Sequence, residues 1–394
     1  MHKAQRQHKS RILVTCAKGI APFLREELLG LGFPILSETI SGISTEGSVH
    51  DSCRLNLLLR TAHRVLYLIR EFPADTAGDL YQAASEIPWE EYISPDGYVC
   101  ITSSVDNPSI RDSRYANVKC KDAIVDRIRV MAGRRPDSGP ERDRVVVNLY
   151  WKGNACALYV DTTGEPLSKR GYRKIPLSAP MQETLAAAVV MATGWNGRGH
   201  FVNPMCGSGT LAIEASLMAL NRAPGLLRNN FGFMHIRGFD RQLWDGLRSE
   251  AKRAAKKAIP HRIIATDITE EAVEAARKNA ATAGVEHLIE FGVCDYADTV
   301  VPEGSGVVIL NPEYGARMGK IKELEGVYTG IGDFFKQKCM GYTGYIFTGN
   351  LPLAKKVGLR TKRKIRFFNS GIECRLLEYE LYEGSRKGRN GERS

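Results

Sequence analysis

The sequence predicts a two-part chain: a basic α+β module, then a doubly wound α/β domain with a mostly parallel sheet. Three observations carry this. First, Phe201-Val202-Asn203-Pro204 has the character of a buried strand end, Met205-Cys206-Gly207-Ser208-Gly209-Thr210 is a small-residue turn, and Leu211 to Leu220 is a helical run. Such a unit lets backbone N–H groups and a helix N-terminus approach a ligand closely. Second, Val307-Val308-Ile309-Leu310 reads as a buried parallel strand that runs directly into Asn311-Pro312-Glu313-Tyr314-Gly315. In doubly wound sheets ligands sit outside the carboxyl ends of the strands, at the switch point, and both motifs lie at such ends. Third, strands and helices alternate through the first half, with Lys and Arg concentrated on one of its helices and in one of its loops.

Composition narrows the function classes. The chain has 394 residues, 43% of them hydrophobic, enough for two or three domains. Lys plus Arg minus Asp plus Glu is 55 − 44 = +11, which points to a polyanionic partner, most directly nucleic acid. The nine cysteines include no C-x-x-C pair, so neither a zinc site nor a disulfide framework is expected. The basic stretch from Met1 to Arg11 is followed by no secretory apolar core, and no apolar run reaches membrane-spanning length. These features predict a cytoplasmic protein with reduced thiols and no metal.

The elements follow in order. Residues 1–10 are polar, Arg11 to Cys16 reads as a strand, and Gly19 to Leu31 as a helix with Ile20, Phe23, Leu24, Leu28 and Leu29 on one face. Leu55 to Arg64 reads as a second helix and Leu66 to Ile69 as a strand. A helix over 78–87 and a strand over 98–102 come next, then a helix over 117–133 that is dense in Lys119, Lys121, Arg127 and Arg129. Val145 to Tyr150 and Ala155 to Val160 form a hairpin around Lys152-Gly153-Asn154. The stretch Asp161 to Arg173 reads as an exposed basic loop between domains.

Ser178 and Pro180 are expected to open a helix over Met181 to Ala192. Between Leu220 and Arg262 the chain is long for a simple βαβ link and contains a basic helix, Leu243 to Lys257. Arg262 to Ile268, with Asp267 at its end, is the second strand of the domain, and Glu270 to Ala283 its helix. Ile289 to Tyr296 is the third strand and its end, a helix covers about 321–340, and Gly344 to Asn350 is a fifth strand. Lys364 to Phe368 and Glu373 to Tyr382 form a closing hairpin turned by Asn369-Ser370-Gly371, and the tail from Gly384 is basic and Gly-rich.

The glycine turn together with Asn311 to Gly315 resembles the class I S-adenosylmethionine-dependent methyltransferases that modify exocyclic amines. Cys16-Ala17-Lys18-Gly19, the Leu55-to-Arg70 stretch and Asp161 to Arg173 resemble the THUMP-containing rRNA and tRNA methyltransferases. With Ala223 to Leu226, the full-length match best resembles the bacterial 23S rRNA guanine-N2 methyltransferases. That resemblance implies a ferredoxin-like domain (1–65), a THUMP domain (66–165), a linker (166–180), a Rossmann-like methyltransferase domain with a seven-stranded mixed sheet (181–385), and a basic tail (386–394). It implies RNA as partner, 23S rRNA ahead of tRNA, with no obligate protein partner, and it makes the 221–261 insertion part of the methyltransferase domain.

The site residues follow from the same resemblance. S-adenosylmethionine would meet Thr184 on the preceding helix, then Asn203, Pro204, Cys206, Gly207, Ser208, Gly209 and Thr210 of the turn. Asp267 and Ile268 after the second strand would meet its ribose, and Asp295 and Tyr296 after the third its adenine. Asn311 and Pro312 would accept the two hydrogens of the target amine, and Tyr314 would stack on an extruded base. Cys206 belongs to the turn and is not a nucleophile. Two positions depart from the family: Asn203 replaces the usual Asp and Glu313 the usual second Pro. Two alternatives to rRNA methylation stand beside this reading: a tRNA guanine-N2 methyltransferase, since THUMP domains in general favour tRNA acceptor ends, and an RNA-binding assembly factor whose cofactor site has decayed at Asn203 and Glu313.

Overall fold

The computed structural model describes residues 8–175, 177, 180–313 and 321–382. Tyr314, Gly315, Ser178 and the basic tail lie outside the described residues. The chain divides into two compact units, Met1–Arg170 with Ala223–Arg253, and Gly171–Arg222 with Ala254–Ser394.

The first unit is built on one eight-stranded sheet in the order β2-β3-β1-β4-β8-β7-β5-β6. The strands are β1 (Ser10–Thr15), β2 (Ser37–Thr39), β3 (Gly42–Gly47), β4 (Arg64–Pro73), β5 (Tyr98–Asp106), β6 (Asp137–Ser138), β7 (Val145–Lys152) and β8 (Ala155–Asp161). Helices α1 (Ala21–Gly30), α2 (Val49–Leu58), α3 (Ala77–Ser85) and α4 (Ser113–Ala132) lie between them. β4 is shared: it pairs antiparallel with β1 on one edge and with β8 on the other, with a register shift between Leu68 and Arg70. A boundary at residue 65 therefore falls at the start of a strand that joins the two sets of strands.

Two expectations shift here. The helix expected over 55–64 begins at Val49 and ends at Leu58. Ser48 caps it by accepting from Asp51 N–H while the Asp51 carboxylate accepts from Ser48 N–H, a reciprocal capping box. The stretch Asp161 to Arg173 is not an exposed loop, since Asp161, Thr162, Thr163, Arg170 and Tyr172 are all buried. Asp161 pairs with Arg64 and its other oxygen accepts from Thr163 and Gly164 N–H. Arg170 donates to the carbonyls of Arg60 and Leu167. Cationic residues that suggested solvent are here used to satisfy buried backbone oxygens.

Residues 223–253, including most of α7 (Arg241–Ala254), pack with this first unit. A methyl group on Gly225 would sit 2.6 Å from Leu57 Cα, so only glycine allows the approach to α2. Arg228 donates to the carbonyls of Pro166, Thr163 and Glu165 and lies over the Phe231 ring, with its pKa lowered to about 10 chiefly by burial. Phe231, Phe233 and Trp244 form an aromatic cluster with centroids 4.9–5.5 Å apart.

The second unit holds a seven-stranded sheet in the order β11-β10-β9-β12-β13-β15-β14. Its strands are β9 (His200–Pro204), β10 (Ile263–Asp267), β11 (Ile289–Val293), β12 (Gly306–Leu310), β13 (Thr343–Thr348), β14 (Arg363–Asn369) and β15 (Ile372–Glu380). β9 to β13 are parallel, and the β14–β15 hairpin closes the sheet antiparallel to β13. The helices are α5 (Glu183–Ala192), α6 (Thr210–Ala219), α8 (Glu270–Ala283), α9 (Ile321–Lys338) and the short α10 (Leu351–Ala354). Helix α5 starts at Glu183 with Gln182 as its N-cap, two residues later than expected, and no side chain caps it. The core between α9 and the sheet is formed by Leu310, Ile346, Leu377, Tyr328, Ile331 and Phe334. No described helix is long and apolar enough to cross a membrane.

Candidate active site

Strand order reverses at β9, which has β10 on one side and β12 on the other. β9 stays paired with β10 as far as Pro204, but leaves β12 after Val202. A crevice therefore opens between β9 and β12 at their carboxyl ends, as switch-point geometry requires. Asn203 bridges its base: the fully buried side chain donates from Nδ2 to the Ile309 carbonyl at 2.9 Å, and Oδ1 has no partner among the described residues. A carboxylate could not make that donation. Asn203 thus faces β12, two residues from Asn311.

The turn after β9 has three positive φ angles in five residues, at Met205 (58°), Gly207 (54°) and Gly209 (81°). Cys206 N–H is tied to Thr266 O of β10 at 2.9 Å, and Gly209 N–H to Cys206 O at 3.0 Å. The two glycines serve different ends. A Cβ on Gly207 would meet nothing within 4 Å, so its face is open, whereas a Cβ on Gly209 would meet Ala276 Cβ of α8 at 2.8 Å. Ser208 and Thr210 are buried, their hydroxyls 3.5 Å apart, and Pro204 and Thr184 are buried too. Burial raises the Cys206 thiol pKa, which keeps it protonated and unreactive.

Asp267, at the end of β10, accepts Gly207 N–H on Oδ2 at 2.9 Å and the Thr269 N–H and hydroxyl on Oδ1, each at 3.3 Å. It holds the turn in place and still has lone pairs for a ligand hydroxyl. Asp295 caps a short turn through Oδ1, accepting Ala297 N–H at 2.8 Å, and keeps Oδ2 without a partner among the described residues. Ile268 and Val293, at the ends of β10 and β11, are 67% and 53% exposed, an apolar pair at the strand ends. Tyr296 turns away: its hydroxyl donates to Val327 O at 3.2 Å and its ring stands edge-on to Phe334. Its side chain packs on α9, which leaves its backbone as the part at the strand end.

Across the crevice, Asn311 follows β12 directly, and its Oδ1 is buried with no partner among the described residues. An unsatisfied buried acceptor costs about 1–3 kcal/mol, so this oxygen is open to a donor from beyond the described residues. Pro312 is buried beside it and Glu313 is exposed.

Two residues of the site escaped the sequence reading. Arg173 donates to Met181 O at 2.6 Å and Thr210 Oγ1 at 3.1 Å and pairs with the buried Glu183 at 3.4 Å, bracing the start of α6. Asn279 of α8 is fully buried. It accepts Lys174 and Ile175 N–H and donates to the Ile175 and Ser208 carbonyls, at 2.8–3.2 Å. Its signal was present: Asn279 falls on the stripe of Ala272, Val273, Ala275, Ala276, Ala280 and Ala283 that α8 buries. Arg173 gave no such signal within a run of exposed-looking cations. Among the described residues no group of three His, Cys, Asp or Glu is placed to hold a metal.

Residues 170–378 match the family model of the RMKL-like methyltransferase domain, more than half of the chain. The chain belongs to this family. In this RMKL-like protein, residues 11–66 match the RlmL ferredoxin-like domain and residues 74–161 the THUMP domain. It is 36% identical over 383 residues to a ribosomal RNA large subunit methyltransferase K/L of Syntrophotalea carbinolica, covering 95% of this chain and 54% of that one. The chain spans about half the length of the curated K/L relatives it matches first. A Synechocystis sp. protein, whose name gives RNA methyltransferase as a provisional class, is 36% identical over 368 residues, covering 93% and 96% of the two chains. A solved structure, SMU.472, described as a methyltransferase complexed with SAH, superposes with a TM-score of 0.86 at 28% identity, over 96% of this chain and 99% of that one.

Proposed function

We propose that this chain transfers a methyl group from S-adenosylmethionine to the exocyclic N2 amine of a guanine in 23S rRNA. One observation carries the reading: the buried, unpartnered Asn311 Oδ1 at the end of β12, in the crevice that the glycine turn borders on its other side. The residues present fit the cofactor. The open face of Gly207 and the N-terminus of α6 suit its amino-acid end. The spare lone pairs of Asp267 suit its ribose hydroxyls, Asp295 Oδ2 its adenine amine, and Ile268 and Val293 the faces of the base.

S-adenosylmethionine, when bound, supplies an electrophilic methyl group. The chain's own residues hold the nucleophile. Asn311 Oδ1 and the Pro312 carbonyl accept the two N–H bonds of the target amine. This draws the nitrogen towards a tetrahedral arrangement and frees its lone pair from the purine ring. No strong base is needed before attack, because the nitrogen becomes acidic only once methylated. Alignment is the main contribution. By family resemblance Tyr314 stacks on the extruded base, an interaction worth about 1–3 kcal/mol. The THUMP match and the names of the relatives support RNA, and the large-subunit names support 23S rRNA over tRNA.

The test is methyl transfer from labelled S-adenosylmethionine to unmodified 23S rRNA fragments and, separately, to unmodified tRNA, with nucleoside analysis of the product. N2-methylguanosine in the rRNA is the expected result. The same nucleoside confined to tRNA moves the substrate, and no transfer to either removes the enzymatic reading.

A further inference from the structure

The last hairpin of the sheet carries a charge arrangement that folding alone disfavours. Residues 355–366 hold seven Lys and Arg and no Asp or Glu, ending on β14, the terminal strand in the sheet order. Within this run Arg366 stands directly opposite Arg375 of β15 in the antiparallel register. Like charges directly opposite each other on neighbouring strands destabilise a pair. The two arginines share one carboxylate oxygen, Glu373 Oε1, paired with Arg375 and 3.9 Å from Arg366 Nε. The cluster therefore keeps one positive charge in excess. Lys364, two residues before Arg366 and on the same face of the strand, is exposed and has no ion pair among the described residues.

Register places this cluster relative to the crevice. Leu310 of β12 lies beside Ile346 of β13, Ile346 beside Leu377 of β15, and Leu377 beside Lys364 of β14. Leu310, the residue before Asn311, is thus three strand spacings, about 14 Å, along one row from Lys364. Arg375 pairs with Thr348, the last residue of β13, so Arg366 and Arg375 lie one pleat nearer the carboxyl ends of the parallel strands. The cations face the end of the sheet at which the crevice opens.

We propose that Arg366 and Arg375, with Lys364, bind phosphates of the RNA backbone a few nucleotides from the target base, giving the methyltransferase unit its own RNA contact. The inference rests on the RNA reading above. A guanidinium pair with one shared carboxylate offers forked N–H donors to a phosphodiester. Of the four α4 cations expected to meet RNA, three are already matched, Arg127 with Glu90, Lys121 with Asp122 and Arg129 with Asp126, while Lys119 lies over the Tyr115 ring.

The experiment titrates the full chain with a structured 23S rRNA fragment between low and moderate salt. It compares wild type, Arg366→Ala, the double variant Lys364→Ala with Arg366→Ala, and Arg366→Lys. Each lost phosphate contact should reduce the slope of log K against log salt by about one, so the double variant should lose about two. Affinity at low salt should fall roughly tenfold in the double variant, with partial recovery in Arg366→Lys, and S-adenosylmethionine affinity should not change. A double variant with the wild-type slope and affinity overturns the inference while leaving the RNA reading intact. Wild type without salt-dependent affinity overturns the RNA reading and the inference with it.

Discussion

On the proposed reading, Asn311 and the two turn glycines set the chemistry at the residue scale. Replacing Asn311 by Ala removes a buried acceptor that is left unpartnered among the described residues, so turnover should fall by at least about a hundredfold, or about 2.7 kcal/mol of barrier. S-adenosylmethionine affinity, measured by calorimetry, should stay within about twofold of wild type. Gly207→Ala and Gly209→Ala should separate. The first adds a methyl group to open space and should chiefly weaken the cofactor, with about 1–2 kcal/mol of strain from its positive φ. The second drives a methyl into Ala276 and should lower stability by about 2–3 kcal/mol, visible in denaturant melts without cofactor. The places of Asn311 and of the glycine turn at strand ends were legible because short, unusual residue strings follow apolar runs there. Asn203 was only half legible: its position was read, but its donation to Ile309 O depends on β9 and β12 separating after Val202, which no local string encodes.

At the scale of elements, helices and strands of the second unit were legible to within a few residues, because buried parallel strands are continuous apolar runs and amphipathic helices keep their period. The misreadings have local physical causes. Leu55 to Arg64 mixes the end of α2 with the entry to β4, and the Ser48–Asp51 capping box that fixes the true start went unread. Asp161 to Arg173 looked solvent-exposed because its charges pair with partners distant in sequence, such as Arg64 and the Arg60 carbonyl. Asn279 links α8 to the glycine turn and to the segment entering the second unit. Asn279→Ala leaves two N–H and two C=O groups without this partner and should cost about 3 kcal/mol or more. Asn279→Asp should not rescue it, since a carboxylate cannot donate to Ile175 and Ser208 carbonyls; chemical denaturation of both variants checks this.

For the whole molecule, pH and the first unit are linked. His63 is half-buried, and burial with the nearby Arg64 and Arg142 lowers its pKa from 6.5 to about 4. The unfolded chain therefore binds a proton that the folded chain refuses, and stability is lost as pH falls from about 6.5 towards 4. The drop in Tm between pH 7 and pH 5 should be smaller in His63→Gln than in wild type. Trp244→Ala, in the cluster with Phe231 and Phe233, should destabilise the first unit by about 3–5 kcal/mol. Hydrogen exchange should then quicken in β8 and α2 while β9 to β13 keep their protection.

The return of residues 223–253 to the first unit has a consequence for synthesis. The chain passes from one unit to the other three times, at about residues 170, 222 and 253. On the ribosome, the surface of α2 that receives Gly225 stays bare until about sixty residues after the eight-stranded sheet has been translated, by which time β9 and α6 have been translated too. A nascent chain halted near residue 175 thus lacks part of its first unit, and the uncovered surface of α2 is one that a chaperone would be expected to hold until residues 223–253 arrive.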